Sequence, residues 1–291
     1  MNKTIVGLAL GLAAAGCPGG GTIGGDDGGR TGVFGGGDSD LASAARGSGV
    51  ITLTSYGYTT AGVTTRFASA SAGFGTPAMA PPCTNQTVEN CTLSVCQPPP
   101  AMDGGAVTYP DSGIINITTP AKNVPLTPKT DGSYSVFVDT MKGLWTGGED
   151  LNIATVGGRV PTFTTKIVAP TVAQISQPAA PAIGAQLMVD RSTDLVVKWN
   201  VGPQNRVQVS LRPFTMNGGS ITVECNFPAY MSTGTIPASM LKNIPAGTGS
   251  FTIYTYNGQF VQTGDFDVTL TALTLATDSR GALVSYGAMY K

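Results

Sequence analysis

The stretch Asp194-Leu195-Val196-Val197-Lys198-Trp199 decides the fold. Its period of two puts Leu195, Val197 and Trp199 on one face of a strand, the pattern of a half-buried sheet. The alternation continues downstream. Val207, Val209 and Leu211 interleave with Arg206, Gln208 and Ser210, Asn217-Gly218-Gly219 signals a turn, and Ile221, Val223, Cys225 and Phe227 share the next face. Phe251 with Ile253, Val268 with Leu270, and Leu283 with Tyr286 mark three further strands, and Leu187–Val189 precedes them all.

Seven or eight short strands in roughly 105 residues is the spacing of an immunoglobulin-like sandwich. The Leu-x-Val-x-Trp strand resembles one of fibronectin type III domains, a likeness limited to that strand and the strand count. Between the fourth and fifth strands, Pro237 before Ala238-Ser239-Met240-Leu241 predicts one turn of helix, with Leu241 and Ile244 closing the end of the core.

Upstream the chain is also strand-rich: Val50–Thr54, Val63–Ala70, Ile114–Ile117, Ser133–Val138, Leu151–Val156 and Phe163–Val168. The aperiodic, proline- and alanine-rich stretch Gln177–Pro181 is the expected boundary. The reading is therefore all-β: two tandem β-sandwich (Ig-like) domains, 49–177 and 178–291. The first carries a long irregular insertion at about 77–110, and loops of that length are commonly functional or stapled.

Ahead of these domains lies an address. Lys3, the apolar run Ile5–Gly16 and the small residues Ala14-Ala15-Gly16 lead directly to Cys17. Twelve residues reach only about 18 Å as a helix, short of a bilayer's roughly 30 Å hydrocarbon core, so residues 1–16 form a signal h-region rather than a span. Leu12–Cys17 resembles the lipobox of bacterial lipoproteins, with Ala14 where leucine is commoner. The resemblance implies cleavage before Cys17 and lipid on its sulfur and amine. With Pro18 next in place of aspartate, it also implies the outer membrane. Residues 17–48 are the expected tether: from Pro18 to Ser48, 12 of 31 residues are glycine. Such a chain buries too little apolar surface to order itself and reaches roughly 30 Å as a coil.

Composition narrows the chemistry. With 16 basic against 17 acidic residues there is no basic footprint for nucleic acid. A lipid-tethered body is the better account than a β-barrel of the outer membrane, whose strands would alternate for about ten residues without proline, whereas the apolar segments read here are shorter and proline-punctuated. There is no histidine. Gly37-Asp38-Ser39 resembles the nucleophile block of GDS-type lipases, but without a histidine base that chemistry is unavailable. Gly35-Gly36-Gly37-Asp38-Ser39-Asp40 resembles a single calcium-binding repeat, and such repeats work as stacked arrays.

Cys83, Cys91, Cys96 and Cys225 remain beyond Cys17. Cys83, Cys91 and Cys96 predict one local disulfide stapling the insertion, in a pairing the sequence leaves open. Cys225 shares a face with Val223 and Phe227 and is expected to be a buried thiol. The cluster lacks the spacing and fourth ligand of a zinc site, and no cofactor is implied. The candidate general acids and bases are Glu149, Asp150, Asp190, Asp194, Asp265 and Asp267. Paired carboxylates can hydrolyse glycosides without histidine, but only across an aromatic-lined cleft. Strand-end acids are expected instead to cap turns. Trp145 beside Gly147-Gly148 could stack a sugar, although a lone tryptophan before a glycine turn more often anchors a core.

Trp145-Thr146-Gly147-Gly148-Glu149, Val160-Pro161-Thr162-Phe163 and Leu195–Trp199, with the tether and cysteines, make the chain similar to lipid-anchored lipoproteins of myxobacterial type. That likeness carries no catalytic or binding residue. The function read from the sequence is a non-enzymatic envelope protein, membrane-bound through its lipid, acting in structure, adhesion or presentation of a ligand to a protein or glycan partner. Its alternatives are a carboxylate-based glycan hydrolase and an accessory subunit of a surface machine, contacting it through the 77–110 insertion.

Overall fold

The computed structural model describes residues 46–60, 63–75, 83–98, 109–139, 144–203, 205–215 and 219–291. The signal, Cys17, most of the tether, the flanks of the 77–110 insertion, and Asn217-Gly218 lie outside the described residues.

In chain order the strands are β1 (Gly47–Thr60), β2 (Val63–Gly75), β3 (Cys83–Val88), β4 (Cys91–Cys96), β5 (Ile115–Thr118), β6 (Asn123–Leu126) and β7 (Tyr134–Asp139). Next come β8 (Asp150–Thr155), β9 (Thr164–Val168), β10 (Gln174–Gln177), β11 (Leu187–Val189), β12 (Leu195–Asn200), β13 (Arg206–Pro213) and β14 (Ser220–Pro228). The chain ends with β15 (Thr233–Ile236), the helical turn α1 (Ala238–Leu241), β16 (Gly247–Thr263), β17 (Phe266–Leu275), β18 (Thr277–Asp278) and β19 (Ser285–Tyr290). The fold is all-β, as the alternation predicts.

One 11-stranded sheet forms a continuous layer in the order β3-β4-β14-β13-β16-β17-β1-β2-β7, with β19 also pairing β16 and β11 pairing β19. Two four-stranded sheets, β6-β5-β8-β9 and β15-β12-β10-β18, complete the strand inventory. Two apolar cores result. In the first, Ile51, Leu53, Phe74, Tyr134, Val268 and Leu270 from the long sheet are clustered with Ile115, Ile117, Leu126, Leu151 and Ile153. In the second, Val207, Val209, Leu211, Val223, Phe227, Phe251 and Ile253 are clustered with Ile175, Val197, Trp199 and Ile236. Trp199 and Phe227 face each other with ring centroids 5.7 Å apart. Met240, Leu241 and Ile244 are fully buried around α1, whose first free N–H, that of Ala238, is capped by Asp194.

The two sandwiches do not divide at residue 177. Strand β17, expected in the second domain, pairs in parallel with β1 and gives Phe266, Val268, Leu270 and Ala272 to the first core. Conversely β4, from the first segment, pairs with β14 and buries Cys91 and Leu93 in the second core. Alternation marks which residues face inward, but a strand's partner is set by register with distant segments, which no local pattern encodes. The chain passes from one core to the other at Ala169–Ala173, ahead of β10, which ends on Gln177 where the expected boundary begins. Strand β19 shares Ser285 and Tyr286 with the predicted Leu283–Tyr286 strand but runs further, to Tyr290, and buries Ala288 and Tyr290.

The strands also start earlier than the tether reading predicts. Gly47 and Gly49 belong to β1, because an aromatic ring lies over each. A Cβ on Gly47 would stand 2.5 Å from the Phe266 ring, and one on Gly49 2.5 Å from that of Phe74. Arg46 completes the entry, donating from Nε to Asp267 at 2.8 Å and from Nη2 to the Gly264 carbonyl.

The described part of the insertion is a hairpin. Strands β3 and β4 extend the sheet past β14, with Cys83 bonded to Cys96 and Cys91 to Cys225. Cys225 is therefore not a thiol: register sets it directly opposite Cys91, and both are fully buried. The Cys91–Cys225 bridge spans 134 residues of sequence against 13 for Cys83–Cys96. On a loop-entropy argument, Cys91→Ala with Cys225→Ala should cost about 2–5 kcal/mol of unfolding free energy and Cys83→Ala with Cys96→Ala clearly less. Urea denaturation measures both, and a reversed order would contradict the assignment of the long bridge as the main staple.

Candidate functional site

Most of the acids singled out from the sequence are engaged in the structure of turns and strand ends. Glu149 accepts from the backbone N–H of Thr146 at 2.9 Å and of Gly147 at 2.6 Å, and from the Thr146 hydroxyl, so the Trp-x-Gly-Gly-Glu block closes on itself. Burial pushes its carboxyl up, but these bonds outweigh it and leave the pKa below the ordinary value. Asp190 accepts from both the N–H and the hydroxyl of Ser192, and that side-chain bond foremost lowers its pKa. Asp150 pairs with Lys166 at 2.9 Å, Asp267 with Arg46, and Asp194 caps α1. The structure gives Asp265 a backbone role, its carbonyl accepting from the Gly47 N–H. A general acid for glycoside hydrolysis needs a raised pKa. Among the described residues the shifted carboxylates, Asp131, Glu149, Asp190 and Asp278, all move down.

Trp145 is buried, and its indole N–H donates to the Thr274 hydroxyl at 3.0 Å. It is an anchor in the first core, with no face open to a sugar. Among the described residues no group of three or more ligating side chains could hold a metal ion.

The sequence reading missed Asp278. Its carboxylate is almost wholly buried yet satisfied: it accepts from the N–H groups of Arg280 and Ala282, from the Arg280 guanidinium at 2.7 Å and from the Tyr286 hydroxyl at 3.2 Å. Burial raises its pKa, and the Arg280 bonds chief among the opposing ones hold it below the ordinary value. Burial, then the adjacent Asp278 charge, pushes Tyr286 up to about 12. An Asp followed by Ser-Arg-Gly resembles any turn in sequence, and its partner Tyr286 comes from the next strand.

The outer face of the long sheet, turned away from both cores, carries a group of aromatic side chains. Registers place Arg206, Tyr256, Leu273, Thr54, Ser69 and Phe137 in one row across six strands. Beside it, Tyr254 lies between Gln208 and Leu275. Burial pushes both the Tyr254 and Tyr256 phenols up, and Leu275 is buried although it belongs to neither core. Towards β7 the rings of Tyr56, Phe67 and Phe137 stand in sequence, with centroids 5.6 and 5.7 Å apart and planes tilted by 28° and 33°. Among the described residues the ladder ends on Phe137, which is 58% exposed. These residues stand in strands the alternation identifies, but their adjacency depends on the unpredicted pairing.

No family model and no curated protein matches the chain. Among solved structures it is similar to the FN1–FN3 domains of chicken CNTN1 (9% identity, 68% of this chain and 66% of that one, TM-score 0.18). It is likewise similar to SGBP-B of the Bacteroides ovatus mixed-linkage glucan utilization locus, solved with a mixed-linkage heptasaccharide (8%, 83% and 60%, TM-score 0.21). A third is a structure from a 1.5-MDa bacterial ice-binding adhesin (13%, 78% and 64%, TM-score 0.16). The chain thus spans 60–66% of the length of these solved chains. The fold assignment rests on the strand pairing above.

The Asp278 node has a pH signature of fixed sign. Asp278 is depressed in the fold, so its stabilising contribution is complete above the unfolded carboxyl range and is lost as pH falls through the folded value. Tyr286 is raised, so its contribution is complete below about pH 10 and is lost as pH climbs towards 12. Asp278→Asn should cost about 1–3 kcal/mol at pH 7 and flatten the acid limb of stability, and Tyr286→Phe should flatten the alkaline limb. Thermal unfolding from pH 3 to 11 checks both, and unchanged limbs would remove the node from the pH response.

Proposed function

We propose that the chain is a non-enzymatic protein of the bacterial envelope, lipid-anchored through Cys17 at the outer membrane, whose β body serves structure, adhesion or presentation of a ligand. One observation carries the non-enzymatic reading. Among the described residues the carboxylates that shift are depressed, and Glu149, Asp150, Asp190, Asp194 and Asp267 are spent on turns, ion pairs and a helix cap. Glu149 and Asp190, held low by the donors around them, are poorly suited to give a proton to a leaving group near neutral pH. Two disulfides support an oxidising compartment outside the cytoplasm. Among the described residues no helix is long and apolar enough to cross a membrane, so membrane attachment in this reading falls to the lipid. The partner is a protein or a glycan, met by the surface of the body and not consumed by it.

The anchor is tested by Cys17→Ser in the native host. Wild type should sediment with outer membranes and partition into detergent, and the variant should move to the soluble envelope fraction with its disulfides intact. A variant retained in the membrane would sink the lipid anchor. Incubating the purified protein with envelope polysaccharides should release no more reducing ends than a blank. Release that disappears in Glu149→Gln or Asp150→Asn would establish the hydrolase in its place.

A further inference from the structure

The main path of the long sheet has two ends, and they differ in chemistry. At one end β3 shows solvent Thr84, Asn85, Gln86 and Thr87, all exposed, and is clamped to β4 by Cys83–Cys96. At the other end is β7, Tyr134-Ser135-Val136-Phe137-Val138-Asp139. Among the described residues β7 pairs on one side only, with β2. It carries none of the features that usually blunt an edge: no proline, no lysine, and a single charge at its last residue. Its outward ring, Phe137, is the exposed end of the ladder begun by Tyr56 and Phe67.

We propose that β7 is a self-association edge, on which a second copy of this chain adds its own β7 antiparallel about a twofold axis at Phe137. Three features favour a copy over an unrelated strand. Twofold pairing at Phe137 sets the partner's Phe137 directly opposite, at about 4.5–5.5 Å between Cα atoms, so the three-ring ladder continues unbroken into the second molecule. The same register sets Val136 against the partner's Val138, extending the inward apolar row, since Val138 is buried and Val136 packs on the first core. In the same register the edge's one charged position, residue 139, falls opposite the second copy's position 135 and not opposite its own counterpart. A one-residue slip would turn Phe137 to the opposite face from its partner ring, and this fixes the register.

The experiment uses the full chain carrying Cys17→Ser, whose four body cysteines are already paired. In Ser135→Cys with Asp139→Cys, the two new thiols sit four residues apart on one strand, roughly 13 Å, too far to bond within a chain. Mild oxidation should give a covalent dimer whose bridge maps by mass spectrometry to 135 and the partner's 139, while each single variant stays uncrosslinked. Sedimentation equilibrium should show a reversible dimer that Phe137→Lys weakens by about tenfold or more without changing its circular dichroism. If Phe137→Lys fails to fold, Ser135→Glu, at an exposed edge position that the proposed register sets against the acidic residue 139 of the second copy, gives the same weakening. A wild type of single-chain mass at millimolar loading, a double variant that crosslinks no faster than the single ones, or a bridge at another register would each overturn the proposal.

Discussion

The structure depends on one strand having to satisfy two different neighbours along one side. Strand β16 runs seventeen residues, about 56 Å at the usual strand rise. Along one side it pairs β19 from Gly247 to Thr252 and then β17 from Tyr254 to Thr263. The handover falls on Ile253, whose N–H donates to the Val284 carbonyl at 3.1 Å and whose carbonyl accepts from the Ala276 N–H at 2.9 Å. A buried backbone group left unpaired there would cost as much as a lost hydrogen bond. The turn between β17 and β19 therefore lies where it does because it must feed that residue from both sides.

The crossing on the opposite layer obeys the same constraint. Where Ala169–Ala173 passes from one core to the other, it runs over the sheet at Thr255 and Thr274, two buried threonines with their hydroxyls turned inward. Thr274 donates to the Pro170 carbonyl at 3.1 Å and Thr255 to that of Thr171, while Asn205 donates to the Thr171 hydroxyl at 2.8 Å. Trp145 in turn donates to Thr274. A polar seam thus separates the two apolar cores, and it is paired throughout because an unsatisfied group would be expensive at that depth. The seam ties the two sandwiches to the shared sheet, so neither is an independent unit of the chain.

The same distinction explains what the sequence could and could not disclose. Alternation at Leu195–Trp199, Val207–Leu211 and Tyr134–Val138 reported faces correctly because burial acts on each strand singly. It could not report that Val268 and Leu270 serve the first core, or that Cys91 meets Cys225, because both depend on register between segments far apart. Pro237 predicted α1 because its fixed φ suits a helix start. Polar β3 escaped notice because exposed Thr, Asn and Gln carry no alternation at all, and β1 was shortened because the glycines that admit Phe266 and Phe74 look like tether. The acids were legible as turn formers, whereas the Asp278–Tyr286 pairing, which joins two strands, was not.

The position of β1 bears on what such a body is built to do. The strand that receives the chain from its amino-terminal side is central in the sheet, held in parallel by β17 over nine register pairs and antiparallel by β2 over thirteen. Arg46 fastens its entry to Asp267 and to the carbonyls of Gly264 and Phe266. A load applied through the residues before Gly47, along the strand, would have to slide β1 past both neighbours and break their hydrogen bonds together instead of peeling an edge one bond at a time. The second core lies towards the opposite end of β16, and its outlying hairpin is pinned by the Cys91–Cys225 bridge. That arrangement resists shear at the entry of β1, which suits the anchored body proposed above.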